Sequence, residues 1–170
     1  MIQPVHTDLM QLSKTDFIQY LYCRKSLWLL KHDLENYPEG EYSAFLIKLI
    51  KDGYLVEKYA RQLFENRDDR STISFQQTFQ TESGLFTRAD IFETDKAGET
   101  HLYEVKSSTR VKTDRDHNHL KDACFQLIAA ERSGQQIDHI SIIHLNGTYV
   151  RDGDINPQQL LVAKNVTTEV

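Results

Sequence analysis

The sequence lacks most of the features that mark membrane proteins, secreted proteins and several classes of enzyme. It contains only two cysteines, which is too few for a disulfide framework. No apolar run approaches the roughly 20 residues that span a bilayer, and the polar N-terminus has no signal-peptide core. Gly-rich phosphate loops, CxxC pairs and Ser-His-Asp patterns are also missing. We therefore expect a cytoplasmic protein with reduced, mostly buried thiols and no membrane partner.

The composition is that of one globular domain with a small excess of acids. Hydrophobic residues make up 39% of the 170 residues and aromatic residues 10%, which predicts a single domain over 1–170. The formal net charge of −5 argues against a surface that is basic throughout. Residues 106–121 are an exception, because they contain five basic and two acidic residues. This segment is either a solvated loop or a local contact surface for nucleic acid.

The periodicity of apolar residues predicts a fold that mixes helices and strands. A helix begins at the capping sequence Ser13 to Asp16 and continues to about Lys31. Further helices are predicted at 42–66 and 116–133, and strands at 72–79, 85–93, 101–106, 139–145, 148–151 and 162–170. A hairpin loop joins the second and third of these strands. The order predicts an α/β sandwich, a mixed sheet with helices on both faces.

The strongest chemical signal is an Asp on one predicted strand followed by Glu-x-Lys on the next. Asp90 and Glu104 offer the carboxylate oxygens that Mg²⁺ and Mn²⁺ prefer, and the Val105 carbonyl offers another oxygen. Lys106 shares a sheet face with Glu104, where it could orient a water or stabilise charge on a pentacovalent phosphate. This pattern predicts a metal-dependent phosphodiesterase. The alternative is a charged surface hairpin, because a single acid-x-Lys triplet is expected by chance in a chain of this composition.

Other residues extend this candidate site. Glu57, on the second helix, could supply a third carboxylate, or it is an ordinary exposed helix acid. Gln126 could hydrogen-bond a phosphate or the water, or it faces solvent. Residues that could contact the phosphate backbone of DNA lie in or beside the basic segment: Ser107, Ser108, Thr109, Arg110, Lys112, Arg115 and Lys121. His117 and His119 have the spacing of a metal pair, but no Cys or acid stands at zinc spacing from them. His101 and His144 are interpreted as strand residues.

Taken together, these motifs resemble the PD-(D/E)XK nuclease superfamily, in particular its RecB-like branch, which includes CRISPR-associated exonucleases. The matching segments are 12–17, 23–28, 53–57, 88–90, 103–108, 122–126 and 144–151. The resemblance implies a restriction-endonuclease-like core of α-β-β-β-α-β order with an extra N-terminal helix. It also implies a Mg- or Mn-dependent nuclease acting on DNA, with Asp90 and Glu104 as metal ligands and Lys106 as the catalytic lysine. Members cut single strands or duplex ends in repair, recombination and defence.

The chain departs from this branch at three places. Relatives often carry His where this chain has Glu57, and often Tyr where it has Ala130. Many hold an iron–sulfur cluster, and Cys23 matches the first ligand of that cluster, but no trio of later cysteines follows it. The chain is therefore either an excised domain that works with a partner domain or a version without the cluster. A catalytically weak nuclease fold, used for DNA binding or as a scaffold, is the alternative function.

Overall fold

The structure is a computed structural model that describes residues 10–38, 40, 43–65, 71–115 and 117–170. In chain order its elements are β1 (Leu12–Ser13), α1 (Lys14–Tyr22), α2 (Arg24–His32), a 3₁₀ turn (Leu34–Asn36), α3 (Ala44–Glu65), β2 (Thr72–Gln80), β3 (Leu85–Thr94), β4 (Thr100–Lys106), α4 (His119–Arg132), β5 (His139–Leu145), α5 (Pro157–Leu160) and β6 (Leu161–Asn165). Among the helices of the described residues, none combines the length and apolarity needed to cross a bilayer.

The strands form one mixed sheet flanked by helices, as the sequence predicts. β3 pairs antiparallel with β2 and β4, β4 pairs parallel with β5, and β5 pairs antiparallel with β6. The position of β5 inside the sheet agrees with its nearly continuous apolar sequence. β6 confirms the edge strand predicted near the C-terminus, although it begins at Leu161 and ends at Asn165.

The strand β1 enters the sheet where β3 and β4 have separated. β3 uses one edge to pair with β2 along residues 86–94. Its other edge pairs with β4 only from Ile91 to Thr94, and with β1 at Leu85 and Phe86. A gap therefore opens between β3 and β4 just before Ile91. This gap places Asp90 and the start of α1 side by side.

Two apolar clusters cover the two faces of the sheet. The cluster beneath α4 includes Phe79, Ala89, Leu102, Ala123, Ala130, Ile140 and Ile142. The cluster beneath α3 includes Val56, Ala60, Phe64, Ile91, Tyr103 and Ile143. Full burial of each large aliphatic side chain in these clusters stabilises the fold by about 2 kcal/mol. The sheet is thus held rigidly from both sides, and polar groups inserted into it are fixed in position.

Two predicted elements are wrong. The single helix from Ser13 to Lys31 is two helices, because Cys23 has extended backbone (φ −154°, ψ 106°) and its thiol accepts a hydrogen bond from the Ser26 N–H to begin α2. The capping box that begins α1, between Ser13 and Asp16, is present as predicted. Residues 148–151 are a turn and irregular backbone rather than a strand, because β6 already occupies the edge of β5.

Three ends of the predicted helices lie outside the described residues. The predicted helix at 42–66 begins and ends outside the described residues, and α3 occupies the described part of it. The predicted helix at 116–133 also begins on a residue outside the described range. α4 starts later, at His119, where the Asn118 side chain accepts a hydrogen bond from the Lys121 N–H.

Candidate active site

Asp90 lies in the gap between β3 and β4, where its side chain replaces a backbone hydrogen bond between the two strands. The pairing of these strands ends at Ile91 and Tyr103. One residue further, the Asp90 Oδ2 atom accepts a hydrogen bond from the Val105 N–H at 2.8 Å. The Asp90 side chain thus accepts the hydrogen bond of the Val105 N–H group, which the backbone of β3 is too far away to accept. It also holds Asp90 beside the Glu104-Val105-Lys106 segment.

The backbone opposite Asp90 is strained. Gln76 on β2 has φ +56°, in the left-handed region that non-glycine residues seldom adopt. Its amide Nε2 donates to Glu57 Oε1 at 2.7 Å and to Asp90 Oδ1 at 3.3 Å. Strained residues of this kind persist where the surrounding contacts over-determine them. The conformation of Gln76 links the acid of α3 to the acid of β3.

Glu104 lies on the α4 face of β4 and is almost completely buried, with 2% of its surface exposed. Its Oε1 atom is 2.6 Å from the Lys14 Nζ atom and 2.8 Å from the Lys106 Nζ atom. Its Oε2 atom accepts a hydrogen bond from the Gln126 amide. Every oxygen of this carboxylate is therefore held by a cation or an amide.

Lys106 bridges two acids. Its ammonium group contacts Glu104 on its own strand and Asp122 on α4. Lys106 and Glu104 share one face because residues two apart on a strand point the same way, as the sequence predicts. Asp122 was not predicted as a partner of the lysine, although it stands four residues before Gln126 and thus on the same side of α4.

Lys14 is a second lysine of the site, and sequence reasoning missed it. It is the first residue of α1 and stands ninety positions before its partner Glu104. The short strand β1 holds the start of α1 at the gap, and the rings of Phe17 and Phe125, with centroids 5.2 Å apart, pack α1 on α4. Only this tertiary arrangement brings the ammonium group to Glu104, so no local sequence pattern could have revealed it.

The two central carboxyl groups have opposite pKa shifts. Burial, together with the negative charge of Glu104, raises the pKa of Asp90 to about 7. Burial opposes ionisation of Glu104 as well, but the nearby charges of Lys106 and Lys14 outweigh it and lower its pKa to about 2. Lys106 is also buried, yet the charges of Glu104 and Asp122 hold its pKa above the ordinary value. At neutral pH the site therefore has an ionised Glu104, a permanently charged Lys106 and an Asp90 that is poised to titrate.

The residues predicted as ligands share one cavity and have the donor chemistry of a divalent-metal site. Glu57, Asp90, Glu104 and Val105 line one cavity of about 280 Å³, together with Lys106 and Ser107. Carboxylate oxygens are the donors that hard cations such as Mg²⁺ and Mn²⁺ prefer. Burial, with a further contribution from the negative charge of Glu104, raises the pKa of Asp90, and a divalent cation would favour its ionised form. Gln126 is fully buried, and its Oε1 atom has no hydrogen-bond partner among the described residues. One polar acceptor thus remains available beside Glu104.

The contacts of Glu57 and Gln126 distinguish between the positions that the sequence allowed for each side chain. Glu57 is not a freely exposed helix acid, because Arg61 and Gln76 both donate to its Oε1 atom and it lines the cavity. Gln126 does not face solvent, since it is buried against Glu104. Both side chains belong to the site by position, and their roles remain predictions.

Some of the residues predicted to contact DNA lie beside the cavity, and others lie further away. Ser107, Ser108 and Lys112 line a neighbouring groove of about 370 Å³ that also contains Lys106. Arg115 and Lys121 line a separate groove of about 180 Å³ between α1 and the start of α4. Arg110 and Thr109 are exposed on the loop between them. The basic segment therefore contributes to two grooves, one beside the cavity and one beside the start of α4.

Cys23, the predicted match to an iron–sulfur ligand, occupies a structural position. Its thiol caps the start of α2 through the Ser26 N–H at 3.4 Å. Neither Cys23 nor Cys124, the other cysteine of the chain, takes part in a disulfide. The cap gives this cysteine a local role that is independent of any cluster.

The left-handed conformation of Gln76 predicts an unusual order of stability for two substitutions. Gln76→Gly is expected to be more stable than Gln76→Ala by about 1 kcal/mol, because only glycine adopts a positive φ without a steric penalty. The free energy of unfolding from urea titration measures this difference. The same pair of substitutions at Gln77, which pairs regularly with Ala89, is the control. There the order should reverse, and an identical order at both positions would contradict the interpretation.

Comparison with known proteins agrees with the observed architecture. An alkaline exonuclease, LHK-Exo from Laribacter hongkongensis, superposes with a TM-score of 0.53 at 13% sequence identity, over 92% of this chain and 77% of that chain. The structure of LHK-Exo in complex with dAMP gives a TM-score of 0.52 at the same identity and coverage. No family model matches the sequence, and no curated protein matches it. At this identity the similarity shows the fold, a central mixed sheet flanked by helices.

Proposed function

We propose that this protein is a metal-dependent DNA nuclease of the PD-(D/E)XK type, similar to the RecB-like branch. We further propose that it hydrolyses phosphodiester bonds from single strands or duplex ends. The observation that carries this proposal is the convergence of Asp90, Glu104 and Lys106 on one cavity at the gap between β3 and β4. The similarity of the fold to an exonuclease supports it.

In this proposal Glu57, Asp90, Glu104 and the Val105 carbonyl hold Mg²⁺ or Mn²⁺. The bound ion would lower the pKa of a water and neutralise negative charge on the phosphate. Gln126 acts as a positioning residue, because its amide fixes the orientation of the Glu104 carboxylate. Glu104 is ionised at neutral pH, and a metal ion would replace an ammonium or amide group that holds its oxygens in the metal-free protein.

Lys106 supplies a fixed positive charge rather than a proton acceptor. Its pKa is raised by Glu104 and Asp122, so it stays protonated at the pH where a nuclease works. A protonated ammonium group can orient the attacking water through its hydrogen bonds and stabilise the charge that grows on the phosphate. Electrostatic stabilisation of this kind is effective here because the side chain is largely shielded from solvent.

The surroundings of the cavity suit a single strand of DNA. Tyr54 is highly exposed and lines both the central cavity and a second one of about 360 Å³, which also contains Lys14 and Arg88. An exposed aromatic ring beside basic side chains is the usual platform for stacking an unpaired base. On the other side, Ser107, Ser108 and Lys112 continue the path for the phosphate backbone.

The test is an assay on 5′- and 3′-labelled single- and double-stranded DNA, with RNA strands alongside, in Mg²⁺ or Mn²⁺. Metal-dependent cleavage is expected, and Glu104→Ala should abolish it because the main ligand is lost. Glu82→Ala, which removes an exposed acid from the turn before β3, is the matched control and should keep full activity. The labelled ends report polarity and distinguish exonuclease from endonuclease cleavage. Absence of metal-dependent cleavage on every substrate would reject the enzymatic proposal.

A catalytically weak DNA-binding or scaffold module is the second candidate. Ala130, which stands where relatives often carry Tyr, is fully buried in the cluster beneath α4 and offers DNA no side chain. Titration calorimetry with Mn²⁺ separates the two functions. Mn²⁺ binding that is lost in both Asp90→Asn and Glu104→Gln supports the nuclease function. DNA binding without such metal binding, and without cleavage, supports the scaffold.

A further inference from the structure

Two histidines stand side by side at the end of the sheet away from the candidate active site. His101 on β4 and His139 on β5 are direct partners in the parallel pairing of these strands. Their ring centroids are 4.6 Å apart, with 35° between the ring planes. Because partners on parallel strands point to the same face, the two imidazoles project together from the second residue of β4 and the first residue of β5.

A carboxylate completes a compact group with these rings. Glu99, in the loop that leads into β4, places its Oε2 atom 3.3 Å from His139 Nε2. One ligand atom from each of Glu99, His101 and His139 lies within 4.8 Å of the others. The ligand atoms of a tetrahedral zinc site, each about 2 Å from the metal, are roughly 3.3 Å apart. The three side chains therefore need only small rotations to reach this geometry.

The group has a second acid and access to solvent. Asp95 places its Oδ2 atom 3.8 Å from His101 Nε2, and its other oxygen is fixed by the N–H groups of Ala97 and Glu99. Carboxylates beside ligand histidines commonly orient the ring and raise its basicity. Between 23% and 57% of each of these four side chains is exposed, so an ion can reach them from solvent.

This group is separate from the acids of the candidate active site. His101 stacks on Tyr103, which belongs to the cluster beneath α3, whereas Glu104 contacts α4 residues on the other face. His101 and Glu104 are also three residues apart along β4, or about 10 Å. The donor sets differ as well, since imidazole favours zinc-like ions and the acid-rich cavity favours Mg²⁺ or Mn²⁺.

We propose that Glu99, His101 and His139 form a second metal site, which binds Zn²⁺ or a chemically similar ion. The ion would tie the loop between β3 and β4 to the first residue of β5. These two parts of the chain are joined directly by hydrogen bonds between Thr100 and Asp138, one position before each histidine. The proposed role is structural, and it does not depend on nuclease activity.

The experiment titrates Zn²⁺ into the full chain, first stripped with a chelator, by calorimetry. Asp90→Asn and Glu104→Gln are included in the background so that the acids of the candidate active site do not contribute. One equivalent of Zn²⁺ is expected to bind, and His139→Gln should weaken binding by at least about tenfold. His32→Gln, which removes an exposed histidine from α2, is the matched control and should bind as the background does.

A second variant and a second readout keep the result independent of folding. Glu99→Gln changes an exposed loop residue, so it should fold normally and still weaken Zn²⁺ binding. Co²⁺ in place of Zn²⁺ should give visible absorption bands that disappear in His139→Gln. The proposal is overturned if no Zn²⁺ binds at 100 µM, or if His139→Gln and Glu99→Gln bind it as tightly as the background protein.

Discussion

Lys106→Met is expected to reduce metal-dependent DNA cleavage by about 100- to 1000-fold while Mn²⁺ binding is retained. Methionine keeps most of the apolar length of the side chain but removes the ammonium group that would stabilise charge on the phosphate. Loss of one such preorganised group typically has an effect of this size. The acids that would hold the metal are untouched, so calorimetry should still detect Mn²⁺. Rates on labelled single-stranded DNA measure the loss.

Lys106→Met is also expected to destabilise the fold, so the loss of stability has to be separated from the loss of the catalytic charge. Removal of the Lys106 ammonium group leaves the negative charges of Asp122 and Glu104 with less positive charge nearby. Breaking a buried ion pair in this way lowers the stability of the fold by about 3–5 kcal/mol. The double variant Lys106→Met with Asp122→Asn should recover much of that stability without recovering cleavage. Lys164→Met, which removes a lysine from an ion pair on β6, is the charge control. Cleavage restored in the double variant would show that the lysine acts only through folding.

Asp90→Asn is expected to make the metal-free protein more stable by about 4 kcal/mol near pH 8 and to change its stability little near pH 4. The pKa of Asp90 is raised by burial from 3.8 to about 7, so the folded state holds a proton that the unfolded state releases in this window. Stability of the wild type therefore falls as pH rises from about 4 to 7, at about 1.4 kcal/mol per pH unit. Asparagine has no proton to lose and escapes this decline.

Urea titrations of both proteins across this pH range measure the effect. Glu104 does not obscure it, because its pKa is lowered to about 2 and its contribution is lost only as pH falls below about 4.5. Asp95→Asn is the control. The loop hydrogen bonds of Asp95 lower its pKa, so this substitution should alter the pH dependence of stability only at acid pH. Parallel stability curves for the wild type and Asp90→Asn would contradict the raised pKa.

The sequence predicted the parts of the site that depend on local periodicity. The strands β2, β3 and β4 and the loop between β3 and β4 follow from alternation and turn residues. The side-by-side placement of Glu104 and Lys106 follows from the two-residue repeat of a strand. The start of α1 follows from the capping box of Ser13 and Asp16. In each case the information lies within a few neighbouring residues.

The sequence could not predict the parts that depend on distant contacts. Lys14 reaches Glu104 only because the two-residue strand β1 pairs with β3, and a strand that short has no periodicity to detect. The break at Cys23 is invisible to helical periodicity, because the apolar residues on either side keep the same spacing. The pairing of His101 with His139 requires the register of two strands that are distant in the chain.

The irregular backbone at Gln76 and Asp90 restricts which insertions and deletions the sheet can accept during evolution. Ile73 and Phe75 of β2 lie under α3 while Phe79 lies under α4, and on β3 the faces exchange between Ala89 and Ile91. Each strand thus shifts its pleat by one residue, and the two shifts coincide. An inserted or deleted residue in one strand would put its inward and outward positions out of phase with its neighbour. The two strands can therefore drift in sequence independently, but they can change length here only together.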